Sequence, residues 1–222
     1  MKLQLLGVAL LLTMSLSAQQ DEMRYLFGDK NYSISGFGAP IYEFSTYDGA
    51  FGMYAGGGGA VIFNNTFFIG GFGMALATDH TFPEIYSENG NLIESELSFD
   101  MGYGGLWIGY IFMPKNPVHF GISSKFGAGA ITVYDSEFRY SDYEYHNDFI
   151  GTVSPQLEIE MNLTPWFKVN IGAGYRFVTG VSDTEYIADA TGTRKAYFND
   201  SDFSAPYGNI SLMFGGFGRK KK

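Results

Sequence analysis

Three histidines and two short acidic clusters are the residues of this 222-residue chain whose types could do chemistry. His146 stands in Ser141-Asp142-Tyr143-Glu144-Tyr145-His146-Asn147-Asp148, where an imidazole near a serine and carboxylates could form a nucleophile–base set. Any acidic, tyrosine-rich loop offers the same neighbours, so the cluster alone assigns no catalytic residue. Asn199-Asp200-Ser201-Asp202 offers oxygen ligands to calcium but lacks the spaced glycine and glutamate of a full binding loop. His80 falls in another loop-like stretch, and His119 opens a strand-like one. Repeated GxG pieces, among them 36–38, 71–73, 127–129 and 172–174, never extend to GxGxxG or GxxxxGK[ST] before a helix, so no phosphate loop follows from them. With no cysteine there is neither a thiolate metal site nor a disulfide. No catalytic residue, metal site or cofactor is expected.

Composition narrows the class. Fourteen basic against 23 acidic side chains give a formal charge of −9, which argues against a nucleic-acid partner. Aromatics at 18% with 30 glycines and only 17% charged residues suit closely spaced strands better than a solvated surface. The opening MKLQLLGVALLLTMSLSAQQ has one lysine, an apolar run too short to span a bilayer, and small residues before the glutamines. It reads as a signal peptide cut after Ala18.

Beyond it the repeating signal is period two. Eight segments can be drawn, at 32–45, 50–63, 66–78, 94–112, 118–134, 148–163, 167–181 and 205–217, each long enough to cross a membrane as a strand. One face of the sixth reads Val153, Leu157, Ile159, Met161 against Gln156, Glu158, Glu160, and the seventh sets Phe167, Val169, Ile171, Phe177 against Lys168, Asn170, Arg176. In the fourth, Leu97, Phe99, Met101, Tyr103 and Trp107 oppose Glu96, Ser98, Asp100, Gly102 and Gly104. The connections alternate. Asn64-Asn65, 113–117 and 164–166 are short, whereas 79–93, 135–147 and 182–204 are long, so the strands run up and down with both termini at the short-turn end. A two-residue turn at Asn64-Asn65 places Val61 beside Phe68, with Gly56, Gly58, Ala60, Gly71, Gly73 and Ala75 on the opposite face.

Alternation fits a soluble lipocalin-like barrel, a β-sandwich or a membrane barrel. The face opposite the apolar one is largely glycine, alanine and serine, poor material for a solvated surface, and an eight-stranded lumen is only just wide enough for side chains. The apolar face is therefore placed outward as a lipid band. Inside, Glu43, Glu96, Asp100, Lys125, Glu158, Glu160, Lys168 and Arg176 form a polar network that neutralises itself and fills the lumen. Lys168 falls diagonal to Glu160 across the 164–166 turn. His119 points inward in a structural role. Pro40 and Pro155 call for bulges. Trp107 and Trp166 lie near the short-turn end and are expected as lipid-boundary aromatics, a core position being the lesser alternative for Trp107. The connections at the long-loop end, 46–49 included, carry 13 acids against Arg139, Arg194 and Lys195.

These features, with the aromatic-rich final strand NISLMFGGFG, resemble the small outer-membrane β-barrels of the OmpA/OmpX type in Gram-negative bacteria. The likeness covers nearly all of the chain after the signal and is one of architecture. It implies an all-β, eight-stranded antiparallel up-and-down transmembrane β-barrel with short periplasmic turns and long extracellular loops. The organisation expected is a signal peptide at 1–18, a periplasmic segment at 19–31, the barrel at 32–218 and a basic periplasmic tail at 219–222. Implied partners are outer-membrane lipids and lipopolysaccharide, the barrel-assembly machinery, and an extracellular ligand or protein met by loops 79–93, 135–147 and 182–204. The resemblance implies a non-enzymatic structural or surface-interaction role. The alternatives are a small-ligand binding or transport barrel, and a lipid-A-modifying enzyme, since some such barrels use a histidine with serine and acidic partners near the outer boundary. One departure stands out: such chains commonly end on an aromatic residue, whereas here Gly218 and Arg219 to Lys222 follow Phe217.

Overall fold

A computed structural model of the chain describes residues 33–47, 49–94, 97–135 and 144–217. In chain order the elements are β1 (Ile34–Tyr47), β2 (Ala50–Phe63), β3 (Phe67–Leu76), β4 (Thr81–Phe82), β5 (Ile85–Tyr86), β6 (Leu92–Glu94), β7 (Leu97–Phe112), β8 (Val118–Asp135), β9 (Glu144–Asn162), β10 (Phe167–Thr179), β11 (Glu185–Ile187), β12 (Arg194–Ala196), helix α1 (Asp200–Phe203) and β13 (Ala205–Gly215). The expected signal peptide, N-terminal segment and basic tail lie outside the described residues, as do Glu96, Ser141 and Asp142.

Eight long strands pair antiparallel in the order β3-β2-β1-β13-β10-β9-β8-β7, and β3 pairs with β7 to complete the circle. Every long strand therefore has a neighbour on each side, and the closed ladder leaves no edge. The turns at 64–66, 113–117 and 163–166 share one end with the start of β1 and the end of β13. The barrel and its alternating connections are those expected from the sequence.

The first hairpin departs by one residue. Asn64 and Asn65 both take positive φ, 53° and 60°, but Thr66 joins the turn, so Phe63 pairs with Phe67, Ile62 with Phe68 and Val61 with Ile69. A one-residue slip moves every side chain of a strand to the other face. On β3 it turns Phe68, Phe72 and Met74 inward, and leaves Ile69, Gly71, Gly73 and Ala75 outside. The pairing carries the change to the next strand: Phe68 faces Gly109 and Met74 faces Tyr103. Leu97, Phe99, Met101, Tyr103 and Trp107 are consequently inside, and Ser98, Asp100, Gly102 and Gly104 outside, the reverse of the expected faces.

The lumen accommodates these rings because glycines from facing strands give way to them. Gly109 lies under the Phe68 ring so closely that a Cβ there would collide with it, and a Cβ on Gly127 would sit 3.1 Å from Cζ of Phe72. Phe37, Phe68 and Trp107 then meet edge to face, with centroids 5.4–5.8 Å apart. The prolines produce no bulge: the β1–β13 register is the same on both sides of Pro40, and the β9–β10 register is the same on both sides of Pro155. Pairing simply lapses on one side of each, which removes the demand for the missing N–H.

Candidate functional site

The inward side of β8, β9, β10 and β13 carries the polar groups. Period two puts Lys125, Glu158, Glu160, Lys168 and Arg176 on this face, and all are at most 4% exposed. Glu43 joins them from β1 with no exposed surface. Arg176 donates from Nη1 to Glu43 Oε1 at 2.7 Å, and the Lys125 ammonium stands 3.4 Å from Glu43 Oε2, so one carboxylate serves two cations. The remaining Arg176 donors are also used. Nη2 reaches Tyr54 Oη at 3.3 Å and Ser45 Oγ at 3.4 Å, while Nε donates to the Phe203 carbonyl at 3.1 Å. The guanidinium lies 4.2 Å from the Tyr54 ring centroid, a cation–π contact inside a closed wall.

Toward the short turns, Glu160 Oε2 accepts from Lys168 at 3.1 Å and lies 3.0 Å from Nε2 of His119, whose Nδ1 faces the Asn116 carbonyl at 3.1 Å. Lys168 also lies 4.4 Å from the ring of Phe217, which turns under the barrel after β13. Between the two centres Trp107 Nε1 donates to Ser123 Oγ (3.1 Å), and Ser123 donates to Glu158 Oε1 (2.9 Å). The Gln156 amide donates to both Ser123 and Glu158, and its oxygen accepts from Tyr207 (2.9 Å) and Asn209 (2.6 Å). Glu158 Oε2 and Glu160 Oε1 are buried without a hydrogen-bond partner, so these acids depend on the bonds their other oxygens make, and losing one partner strands the other.

The structure thus gathers Glu43, Lys125, Glu158, Glu160, Lys168 and Arg176 in the lumen, and it removes two residues from their expected places. Asp100 is on the outer face, turned there by the register that inverts β7. Trp107 is 1% exposed in the lumen and is no lipid-boundary residue. Trp166, in its turn, is 57% exposed and stacks near Phe214 with centroids 6.2 Å apart. Sequence reasoning passed over Tyr54, Tyr103, Ser123 and Tyr207, which finish the polar network. For Tyr54, Ser123 and Tyr207 the signal was parity, since Tyr207 shares a face with Asn209 and Ser211, whereas Tyr103 lies on β7, whose faces are reversed.

At the long-loop end the barrel mouth is covered by rings. Phe99 and Phe203 pack 6.0 Å apart, Phe198 lies 5.0–5.3 Å from Phe82, Phe99 and Phe203, and Tyr186 and Tyr197 lie 5.1 Å from each other. The acids of the 199–202 cluster serve the backbone. Asp202 caps α1 by accepting from Asn199 N at 2.7 Å, and Asp200 accepts from Val181 N at 2.9 Å. His146 is buried at the mouth, 2.8 Å from Asp148 Oδ2 and stacked on Tyr197 at 4.4 Å with planes 7° apart. His80, at the same end, has Nε2 2.6 Å from Thr78 Oγ1, an oxygen that also accepts from Met53 N (3.3 Å). Burial holds its pKa below the ordinary histidine value, and Asp79 opposes the shift. Beside the rings lies a cavity of about 540 Å³ lined by Tyr47, Phe82, Tyr186, Lys195, Tyr197, Phe198 and Asp202, among others.

No protein-family model matches the sequence, and no curated protein sequence matches it. Among solved structures the chain is similar to neisserial surface protein A, at 12% identity over 85% of this chain and 100% of that one, with a TM-score of 0.49. It is similar to the N-terminal β-barrel domain of OprF from Pseudomonas aeruginosa (10% identity, 83% and 99% covered, TM-score 0.47). A third likeness is to Ail, the attachment invasion locus protein of Yersinia pestis (13% identity, 83% and 97% covered, TM-score 0.46). At these identities the eight-stranded barrel rests on this chain's own strand pairing.

Proposed function

We propose that the chain is an integral outer-membrane protein with its short turns and termini in the periplasm, its long loops outside the cell, and a structural or surface-interaction role without catalysis. The observation that carries this reading is the inverted coat. Ionisable side chains of β8, β9 and β10 are buried and paired, while Leu157 and Phe149 on the outer face are 68% and 75% exposed, joined by Phe120, Ile122, Ile171 and Phe177. A water-soluble barrel with that exterior would aggregate, whereas hydrocarbon suits it. Residues 1–18 serve as the export signal, insertion uses the barrel-assembly machinery, and lipids and lipopolysaccharide surround the wall. Trp166 marks the periplasmic boundary.

The test is cell fractionation with heat-modifiable gel mobility. The chain is expected in the outer membrane with a fast-migrating folded form, and recovery in the soluble periplasm would sink the reading. A lumen filled by Arg176, Tyr54, Trp107 and Lys125 should give no stable large-pore current in planar bilayers. His146→Ala should leave lipid A unchanged, because that imidazole is buried and stacked flat on Tyr197. The mouth cavity favours a second reading, in which the loop end binds a small ligand without passing it through the barrel.

A further inference from the structure

We propose that the outer edge of β6 takes an extended, basic segment of another protein as an added strand; this rests on the reading that the long-loop end faces the cell exterior and meets partners there. The β5–β6 hairpin lies in the connection from β3 to β7, beyond Phe82, which pairs with Leu97 where β7 begins. Among the described residues β6 pairs with β5 alone, and the irregularity of that pair falls on β5, between Ile85 and Tyr86. The hairpin is fastened on its inner side. Ile85 is buried, the turn closes through Ser87 N to the Asn91 carbonyl at 2.8 Å and Gly90 N to the Ser87 carbonyl at 3.0 Å, and a Cβ on Gly90 would come within 2.7 Å of the Ala190 carbonyl. On β6 the successive residues Leu92 and Ile93 point to opposite faces, yet they are 51% and 53% exposed. Neither face of the strand is spent on the barrel. Edge strands are ordinarily guarded by lysine or proline, and β6 has neither.

Charge chooses the occupant. Residues 79–94 hold Asp79, Glu84, Glu88 and Glu94 and neither lysine nor arginine. Glu88 stands 3.3 Å from Arg194 of the second hairpin, but the two side chains are 82% and 58% exposed, so water screens the pair and the hairpin keeps its acidic character. A phosphorylated lipid surface would be repelled by these carboxylates. A second copy of the chain would bring more of them, since the connections at this end, 46–49 included, hold 13 acids against three bases. A strand that alternates lysine or arginine with valine, isoleucine or leucine meets all of these features. Its main chain takes the edge hydrogen bonds, its apolar side chains cover Leu92 or Ile93, and its cations approach the glutamates. Because the hairpin is already held in the form that binds, little further ordering opposes the added strand.

The experiment is a titration of the purified full chain, folded in micelles and checked by heat-modifiable mobility, into three labelled peptides of equal length, read by fluorescence anisotropy. One alternates lysine with valine, one lysine with proline, and one glutamate with valine. The lysine–valine peptide is expected to bind with a Kd of about 0.1 mM or tighter. The other two should bind at least about tenfold more weakly, because proline cannot complete a ladder and glutamate meets like charge. Ile93→Lys, at an exposed position, should keep the folded band and weaken the lysine–valine peptide about tenfold. If that variant loses the folded band, Leu92→Lys decides in its place. Equal binding of the lysine–proline peptide would show attraction by charge without a strand and overturn the proposal. So would equal binding of the glutamate–valine peptide, no lysine–valine binding at about 1 mM, or binding that the lysine substitution leaves unchanged. Self-association in micelles that Ile93→Lys abolishes and the lysine–valine peptide does not displace would give the edge to a second copy instead. Protease accessibility of residues 79–94 on intact cells tests the orientation separately. A chain that binds the peptide in micelles but shields these residues in cells would refute only the orientation.

Discussion

On β9 and β10 the inward positions read Gln156, Glu158, Glu160 and Lys168, Asn170, Arg176; across the lumen on β3 and β7 they read Phe68, Phe72, Met74 and Met101, Tyr103, Trp107. One wall is ionic and the other aromatic, yet both belong to the same closed sheet. The ionic wall fixes its own orientation, because turning Glu158, Glu160 and Lys168 toward lipid would cost several kcal/mol. The aromatic wall has no such preference. Apart from Ser98 and Asp100 at the loop end of β7, its outer positions, Ile69, Gly71, Gly73, Gly102 and Gly104, and its inner ones are all acceptable to hydrocarbon, so register and the closure of the circle decide which face is which. Glycine then lets large rings occupy a narrow lumen, by lying where those rings need space.

The sharpest way to break the contrast is to remove the carboxylate on which the ionic wall converges. Glu43→Gln leaves Arg176 and Lys125 buried with no counter-charge and should cost about 3–5 kcal/mol, read as a shift in the urea midpoint of refolding into vesicles. An unchanged midpoint would show that the pair is not buried as described. On the aromatic wall Trp107→Ala should cost a similar amount, about 3–5 kcal/mol, by emptying the space against Phe37 and Phe68. Brominated lipids sharpen the point. They should quench Trp166 and spare the fluorescence that persists in Trp166→Phe, and quenching of that remainder would return Trp107 to the lipid side.

Outside the wall, Leu157→Arg should cost about 2–4 kcal/mol near mid-membrane. If Glu158→Arg were tolerated better than Leu157→Tyr, the faces of β9 would be reversed. The smallest effect concerns His80. Its neutral form is favoured in the folded chain, so its contribution is present above the ordinary histidine value of about 6.5 and fades as pH falls through the depressed folded value. An NMR titration of its ring should show a midpoint below that value, and a midpoint above it would mean that Asp79 outweighs burial at this ring.

What the sequence disclosed follows the same division. Strand limits, the turns at 113–117 and near 164–166, and the pairing of Glu160 with Lys168 were legible because charge on one face of β9 and β10 leaves a single acceptable orientation. The faces of β3 and β7 were not. Leu, Phe and Met alternating with Gly tell that there are two faces, and a third residue in the Asn64-Asn65-Thr66 turn, which composition does not reveal, sets which is inward. Ring volume alone would place Phe68, Phe72 and Trp107 outside, and the glycines opposite them make the room that brings them in. The mouth was the least legible part, since Phe203 gains its place through a backbone carbonyl that no residue pattern announces.

The centre at Glu43 also has a timetable. Its carboxylate lies 82 residues before Lys125 and 133 before Arg176 along the chain. The strand that leads the barrel therefore carries a charge whose partners are delivered only by the fifth and seventh long strands, and whose enclosure waits for β13 to dock against β1. Until then the acid must stay in water, because unpaired it resists entering hydrocarbon. Its enclosure is therefore expected last, and a chain stalled before its final strand arrives should keep its first strand exposed to water.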